Sequence, residues 1–140
     1  MTQGIGQDEL DRLFSAALEA AVARLEKDGH FFPLLFELRT DGTIQAVAML
    51  ETGAVEGNAI GRMLDVLRQR ADEELIRAAA IASHRGGAMQ VEVRLRASNY
   101  ASDITVPFTI ETSGLIRRRR ELTLGEFAAS DVENEVFPAN

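Results

Sequence analysis

GHFFPLLFELRTDGTIQAVAMLE, Gly29 to Glu51, is the stretch on which the fold turns. It runs from an aromatic-proline entry through an apolar run and an Asp-Gly turn into a second apolar run, the pattern of a β-hairpin. Register decides the loop. A two-residue Asp41-Gly42 loop sets Leu38 against Gln45 and Arg39 against Ile44, mixing the faces. A three-residue Thr40-Asp41-Gly42 loop pairs Leu38 with Ile44, Phe36 with Ala46, Leu34 with Ala48 and Phe32 with Leu50. That face is wholly apolar, and Glu37 opposite Gln45 and Arg39 opposite Thr43 fall on the other. A slip of one residue turns every side chain to the wrong face, so the three-residue loop is favoured. Gly42 then takes the left-handed position of a type I turn with a bulge. Leu35 opposite Val47 makes the second face partly apolar as well.

Upstream, Leu10, Leu13, Phe14, Ala17, Leu18, Ala21 and Leu25 recur at helical spacing between Asp8 and Lys27, with Gly29 as a stop. Downstream, Thr52 to Gly57 reads as a loop. A second helix follows, capped by Asn58, with Ile60, Met63, Leu64, Leu67 and Ala71 on one face. Its end has two readings. Alanine propensity extends it to Ser83. Alternatively, Gly86-Gly87 closes a hairpin that pairs His84 with Met89, Ala82 with Val91, Ala80 with Val93 and Ala78 with Leu95. The second reading, a strand from Ile76 to Arg85, gives one apolar face throughout and is preferred.

Met89–Ala97 and Ile104–Ile110 alternate cleanly, and Pro107 suits an edge strand or a bulge. Arg117–Arg120 allows only a short sixth strand. Thr123-x-x-Glu126 resembles a capping box and predicts a short helix from Leu124 to about Ser130. The expected class is α+β: an antiparallel sheet of about five strands with both main helices on one face, in the order α-β-β-α-β-β-β and a short α. One domain spans residues 1–140, with 1–6 and 131–140 expected to fray.

Composition narrows the chemistry. No Cys is present, which removes disulfides, thiolate metal sites and a cysteine nucleophile. A net charge of −7 argues against nucleic acid and anionic membranes as default partners. Hydrophobic content of 46% is too high for a disordered chain. The first residues lack a basic and apolar leader pattern, so a cytoplasmic location is expected.

The segment DGHFFPLLFELRTDGTIQAVAM resembles a signature of small uncharacterised bacterial proteins: a helix ending in His-Gly-x-aromatic-aromatic-Pro-Phe, then a strand, an Asp-Gly turn and a strand. This chain has Gly29-His30 in the reverse order and Leu34 in place of Phe. The resemblance supports the strand at Ile76–Arg85 and brings no activity with it. In size, charge and element order the chain is also similar to the acidic, dimeric secretion chaperones of bacteria, a likeness at the level of fold.

Few residues carry catalytic signals. His30 and His84 have no HxH, HxxxH or HExxH spacing, so no metal ligands are assigned. Ser83-His84 are neighbours rather than a spaced dyad, and Gly53, Gly57 and Gly61 form no phosphate loop. No catalytic residue and no cofactor is assigned. Arg117–Arg120 is best explained as a solvated run balanced by Glu121, Glu126 and the acidic tail. A subtler feature is Arg77 opposite Arg96 with Arg94 on the same face, since like charges across a ladder repel unless carboxylates intervene. Glu92 or Glu111 can supply one. Arg77, Arg94 and Arg96, with the apolar Leu35, Val47 and Ile81, form the expected partner-binding face. A protein partner is expected through that face or the edge of the strand at Ile104–Ile110, and a homodimer is favoured because it would bury the apolar trio. The expected function is a non-enzymatic binding module, chaperone-like or of immunity or regulatory type. The alternative is a small enzyme or ligand-binding domain with a pocket between the second helix and the sheet.

Overall fold

Leu10, Leu13, Ala17, Leu18, Ala21 and Leu25 step along one side of a helix. Each is buried in the computed structural model, which describes residues 6–29, 31, 33–47, 56–84, 89–114 and 119–137. This helix, α1 (Gln7–Asp28), ends at Gly29 with φ of 79°, and the Gly29 N–H donates to the Leu25 carbonyl at 2.8 Å. The left-handed turn costs glycine little because it has no Cβ.

Strands β1 (Leu34–Arg39) and β2 (Ile44–Val47) follow in the register of the three-residue loop. Leu38 pairs with Ile44, Phe36 with Ala46, Glu37 with Gln45 and Leu35 with Val47. Gly42 has φ of 90°. The hydroxyl and backbone N–H of Thr43 donate to the Asp41 carboxylate at 2.7 and 3.0 Å and hold its carboxyl below the usual aspartate range. The expected pairs of Leu34 with Ala48 and Phe32 with Leu50 lie outside the described residues, as do His30, the Thr52–Val55 part of the loop, Gly86-Gly87, and Arg117 and Arg118.

Helix α2 (Glu56–Asp72) begins two residues before the expected cap, Asn58. Its end settles the choice between helix and strand. Glu74 takes φ of 59°, Leu75 N–H donates to Arg70 O, and Glu74 N–H donates to Ala71 O, both at 3.0 Å. That is a Schellman closure with glutamate in the position glycine usually fills. The chain then enters β3 (Ile76–His84), the strand that the alternation favoured over the alanine propensity.

The remaining strands are β4 (Gln90–Ala97), β5 (Tyr100–Ser113), β6 (Arg119–Leu124) and β7 (Ala128–Asp131). All pairs are antiparallel, in the order β2-β1-β3-β4-β5-β6, with β7 also on β5. β6 follows Phe108–Ser113 and β7 follows Ser102–Thr105 along the same edge. Pro107 explains the break between them. Phe108 N–H donates to the carbonyl of Met89, the residue before β4, so the nitrogen of Pro107 faces the β6–β7 edge, where it has no hydrogen to donate. Residues Gly125–Phe127 interrupt the ladder there. Gly125 N–H donates to Pro107 O at 2.7 Å, and a Cβ on Gly125 would come within 3.0 Å of the Pro107 ring.

Several expectations are corrected. Seven strands form among the described residues rather than about five. The helix expected over Leu124–Ser130 is absent: Thr123 pairs with Thr109, and β7 takes the place of the helix body. Ladder bonding to the long β5 outweighs the local capping signal. β5 is therefore not an edge strand. The β3–β4 hairpin is shifted two residues from the Gly86-Gly87 register: His84 pairs with Val91, Ala82 with Val93 and Ala80 with Leu95. A shift of two keeps every side chain on its face, so the apolar pattern does not distinguish the registers.

The two helices cover opposite faces, not one. α1 packs on Leu38, Ala78, Ala80, Ala82, Val91, Val93 and Leu95, whereas α2 packs through Met63 and Leu67 on Leu35, Ala79 and Ile81. Alternate residues of β3 serve the two helices, as a strand requires. The physical reason is that Leu35, Val47, Ile76, Ala79 and Ile81 make too much apolar surface on the second face to leave wet. On the first face, the small alanines of β3 let α1 lie close. α1 also guards the outer edge of β6: Glu26 accepts the Leu122 N–H at 3.2 Å, and Phe14 meets Phe127 edge to face at 5.5 Å.

A candidate partner surface on the second sheet face

One row of side chains crosses the second face: Val47, Leu35, Ile81, Arg94, Asp103 and Ser130, on successive strands β2, β1, β3, β4, β5 and β7. The row changes from apolar to polar between β3 and β4. α2 takes the apolar half. Leu35 and Ile81 are buried beneath it, and Val47 is partly buried beside it.

The next row holds Glu37, Ala79 and Arg96. Glu37 is 1% exposed and lies under α2, where Arg70 donates to both of its oxygens, from Nε to one and from Nη2 at 3.0 Å to the other. A buried carboxylate needs such a partner, because desolvation otherwise costs several kcal/mol. Helix and sheet are thus joined by a fork of charge-assisted bonds inside an apolar contact.

The polar half is arranged differently. Arg94 donates to Ser83 Oγ at 3.1 Å and pairs with Glu92 at 3.4 Å. Arg96 is 3% exposed and is satisfied on every side. It pairs with Asp103 at 2.9 Å, donates to the carbonyls of Leu95 and Ser102 at 3.0 and 3.1 Å, and donates to Glu135. Glu135 belongs to a strap, Val132–Phe137, that leaves β7 and crosses the second face towards α2. Burial opposes the charge on Glu135, but the Arg96 hydrogen bond leads the effects that hold its carboxyl below the usual glutamate range, with Arg94 adding to them.

The strap, expected to fray, is packed. Val132 N–H donates to Ala101 O at 3.3 Å. Asn134 Nδ2 donates to Ala97 O at 2.6 Å, and its Oδ1 accepts the Phe137 N–H at 2.8 Å, turning the chain inward. Val136 is fully buried in the cluster of Leu35, Met63, Leu67, Ile76 and Ile81. An open groove runs beside the strap, lined by Ser98, Asn99, Tyr100, Asn134 and Phe137 among others.

Of the expected partner-binding residues, the structure gathers Leu35, Val47, Ile81 and Arg94 in one row and Arg96 in the next. Arg77 is a correction. A bulge between Leu38 and Arg39 pairs them with Ala78 and Ile76, skipping Arg77, which turns to the α1 side and meets Glu9 at 2.9 Å. Arg96 faces Ala79 and not Arg77, so the expected clash of like charges does not arise. Leu35, Ile81 and Arg96 are buried within the chain, which leaves Arg94 and Val47 as the partly exposed members.

Sequence reasoning missed Glu37, Arg70 and Glu135. Two of them carried a signal. Glu37 sits between apolar neighbours on a face that Leu35 and Val47 make apolar, and Arg70 continues the α2 stripe three residues after Leu67. His84 lies on the α1 side, stacked on Phe31 at 5.8 Å and against Phe108 at 5.9 Å. Among the described residues no three His, Asp or Glu side chains gather as a metal site, and no helix is long and apolar enough to cross a membrane. Compared with protein-family models, curated proteins and solved structures, the chain matches none of them.

Proposed function

We propose that the protein is a non-enzymatic protein-binding module, chaperone-like or of immunity or regulatory type, that works through the polar half of its second sheet face. The division of that face between β3 and β4 carries the reading. α2 uses the apolar half, while Glu92, Arg94, Thr105 and Asp103 remain at least partly exposed on strands stiffened from both sides. A strip of mixed charge on paired strands suits a protein surface, whereas small-molecule sites are concave. Mixed signs and a net charge of −7 fit poorly with nucleic acid.

A pocket between α2 and the sheet has less support. Met63 and Leu67 fill that interface against Leu35, Ala79 and Ile81, and His84 faces the other helix. The burial that would favour a homodimer is supplied inside the chain by α2, so the partner we propose is a different protein acting in the cytoplasm. A photo-crosslinking residue at Thr105 tests this in the native host, with Ser15 on the outer side of α1 as control. A discrete protein adduct from position 105 and none from 15 is expected. Equal labelling at both sites, or none at 105, overturns the reading.

A further inference from the structure

Arg96 and Val136 together define a niche between α2 and the β4–β5 turn. Its floor offers a buried cation, and its α2 side offers an apolar hole. Both are filled by a chain segment that has left the sheet: after the Val132–Ala101 bond, no backbone ladder holds residues 133–137, and side chains fasten them instead. We infer that this niche is a peptide-recognition site, which Asn134–Phe137 occupies in the free chain. The protein partner enters it with an extended segment of the same chemistry: a carboxylate for Arg96, a branched aliphatic side chain next, and an aromatic after it. The inference rests on the protein-binding reading and names the partner's chemistry.

Charge and volume set that chemistry. An arginine cannot shed its proton, and with the strap seated Arg96 is 3% exposed, so its charge must be answered by whatever lies on it. Removing Glu135 leaves it with Asp103, so exchange is favourable only when the newcomer brings another carboxylate. Withdrawing the fully buried Val136 opens a hole in an apolar cluster, which an aliphatic side chain must refill. Leaving the niche disturbs no strand pairing, because β7 ends at Asp131.

The strap competes with any visitor at an effective concentration on the order of millimolar, which weakens apparent affinity until the strap is loosened. The test uses the full chain, wild type and Glu135→Ala/Val136→Ser, with a fluorescent, amide-capped peptide of the sequence DVENEVF as probe in anisotropy titrations. The double variant is expected to bind the peptide about 10-fold or more tightly than wild type. The same peptide with lysine in place of its second glutamate, the counterpart of Glu135, should lose that binding. Equal affinity for both chains, or no binding to a folded variant, overturns the inference. If the double variant unfolds, Glu135→Gln decides it on the same criterion, a gain over wild type against none. The two readings fail separately: a Thr105 adduct that persists under saturating peptide sinks the niche and leaves the protein-binding strip standing. Peptide binding without any Thr105 adduct does the reverse.

Discussion

The two faces of the sheet are covered in different ways. Under α1 the contact is apolar across β3 and β4, and the ion pair of Glu9 with Arg77 stands at the partly exposed rim. Under α2 and the strap, charge reaches into the contact: Arg70 comes down to Glu37, and Glu135 comes down to Arg96. In one case the cover brings the cation, in the other the carboxylate. Apolar contact is permissive about geometry, whereas a buried ion pair admits one docking and penalises the loss of either partner. The cover of the first face is therefore mainly apolar, and that of the second is fixed by buried ion pairs.

The largest effect that would test this contrast is at Leu13, fully buried beneath the α1 side. Leu13→Ala is expected to cost about 3 to 4 kcal/mol and to lower protection from hydrogen exchange throughout the sheet. The equally buried Leu67→Ala should cost about 2 to 3 kcal/mol, because α2 packs on fewer strands and can settle into the gap. Urea unfolding of both variants checks the order, and a larger loss at Leu67 would reverse the contrast.

Next comes the ion pair under α2. Arg70→Met leaves the buried Glu37 carboxylate with Arg39 alone, at 3.9 Å, and is expected to cost about 3 kcal/mol, the low end for such pairs because Arg39 remains and Arg70 is partly exposed. Glu37→Leu with Arg70→Met should return to within about 1 kcal/mol of wild type, since a well-packed apolar pair can replace an ionic one. A double variant no better than the single would show that Glu37 acts by shape and not by charge.

Glu74→Gly removes a left-handed glutamate at the end of α2 and should stabilise by about 1 kcal/mol, read as a raised urea midpoint. The smallest effect is the pH response of the strap. The folded-state pKa of Glu135 is depressed, so its contribution is complete above the ordinary glutamate value and is lost as pH falls through the lower folded value. Amide exchange at Val136, corrected for its intrinsic pH dependence, should accelerate in that acid window and not in Glu135→Gln. A variant that keeps the full acid response would show that Glu135 is not its source.

How much was legible differs between the faces in the same way. The β1–β2 register followed from side-chain alternation alone, because one slip would have put Phe36 and Leu38 in water. The β3 strand was legible against alanine propensity for the same reason. The β3–β4 register was not, since a shift of two leaves both faces unchanged. On the second face, the row of Leu35, Val47, Ile81 and Arg94 could be assembled from the strands, but not what covers it. Arg77 was misplaced because a bulge leaves no mark in composition, and Glu135 was overlooked because a terminal acidic segment carries no periodicity to place it.

The chain by itself determined the elements whose signal is local: α1 with its Gly29 stop, the Gly42 hairpin, the alternating strands and the absence of thiol chemistry. Tertiary structure alone decided which face each helix covers, that residues 124–130 extend the sheet instead of forming a helix, and that Glu135 closes on Arg96. Those outcomes depend on pairings between residues 33 to 39 positions apart, Glu37 with Arg70 and Arg96 with Glu135, and on a ladder offered by β5. Local propensity is worth tenths of a kcal/mol per residue, and it yields where long-range bonding and burial are worth several.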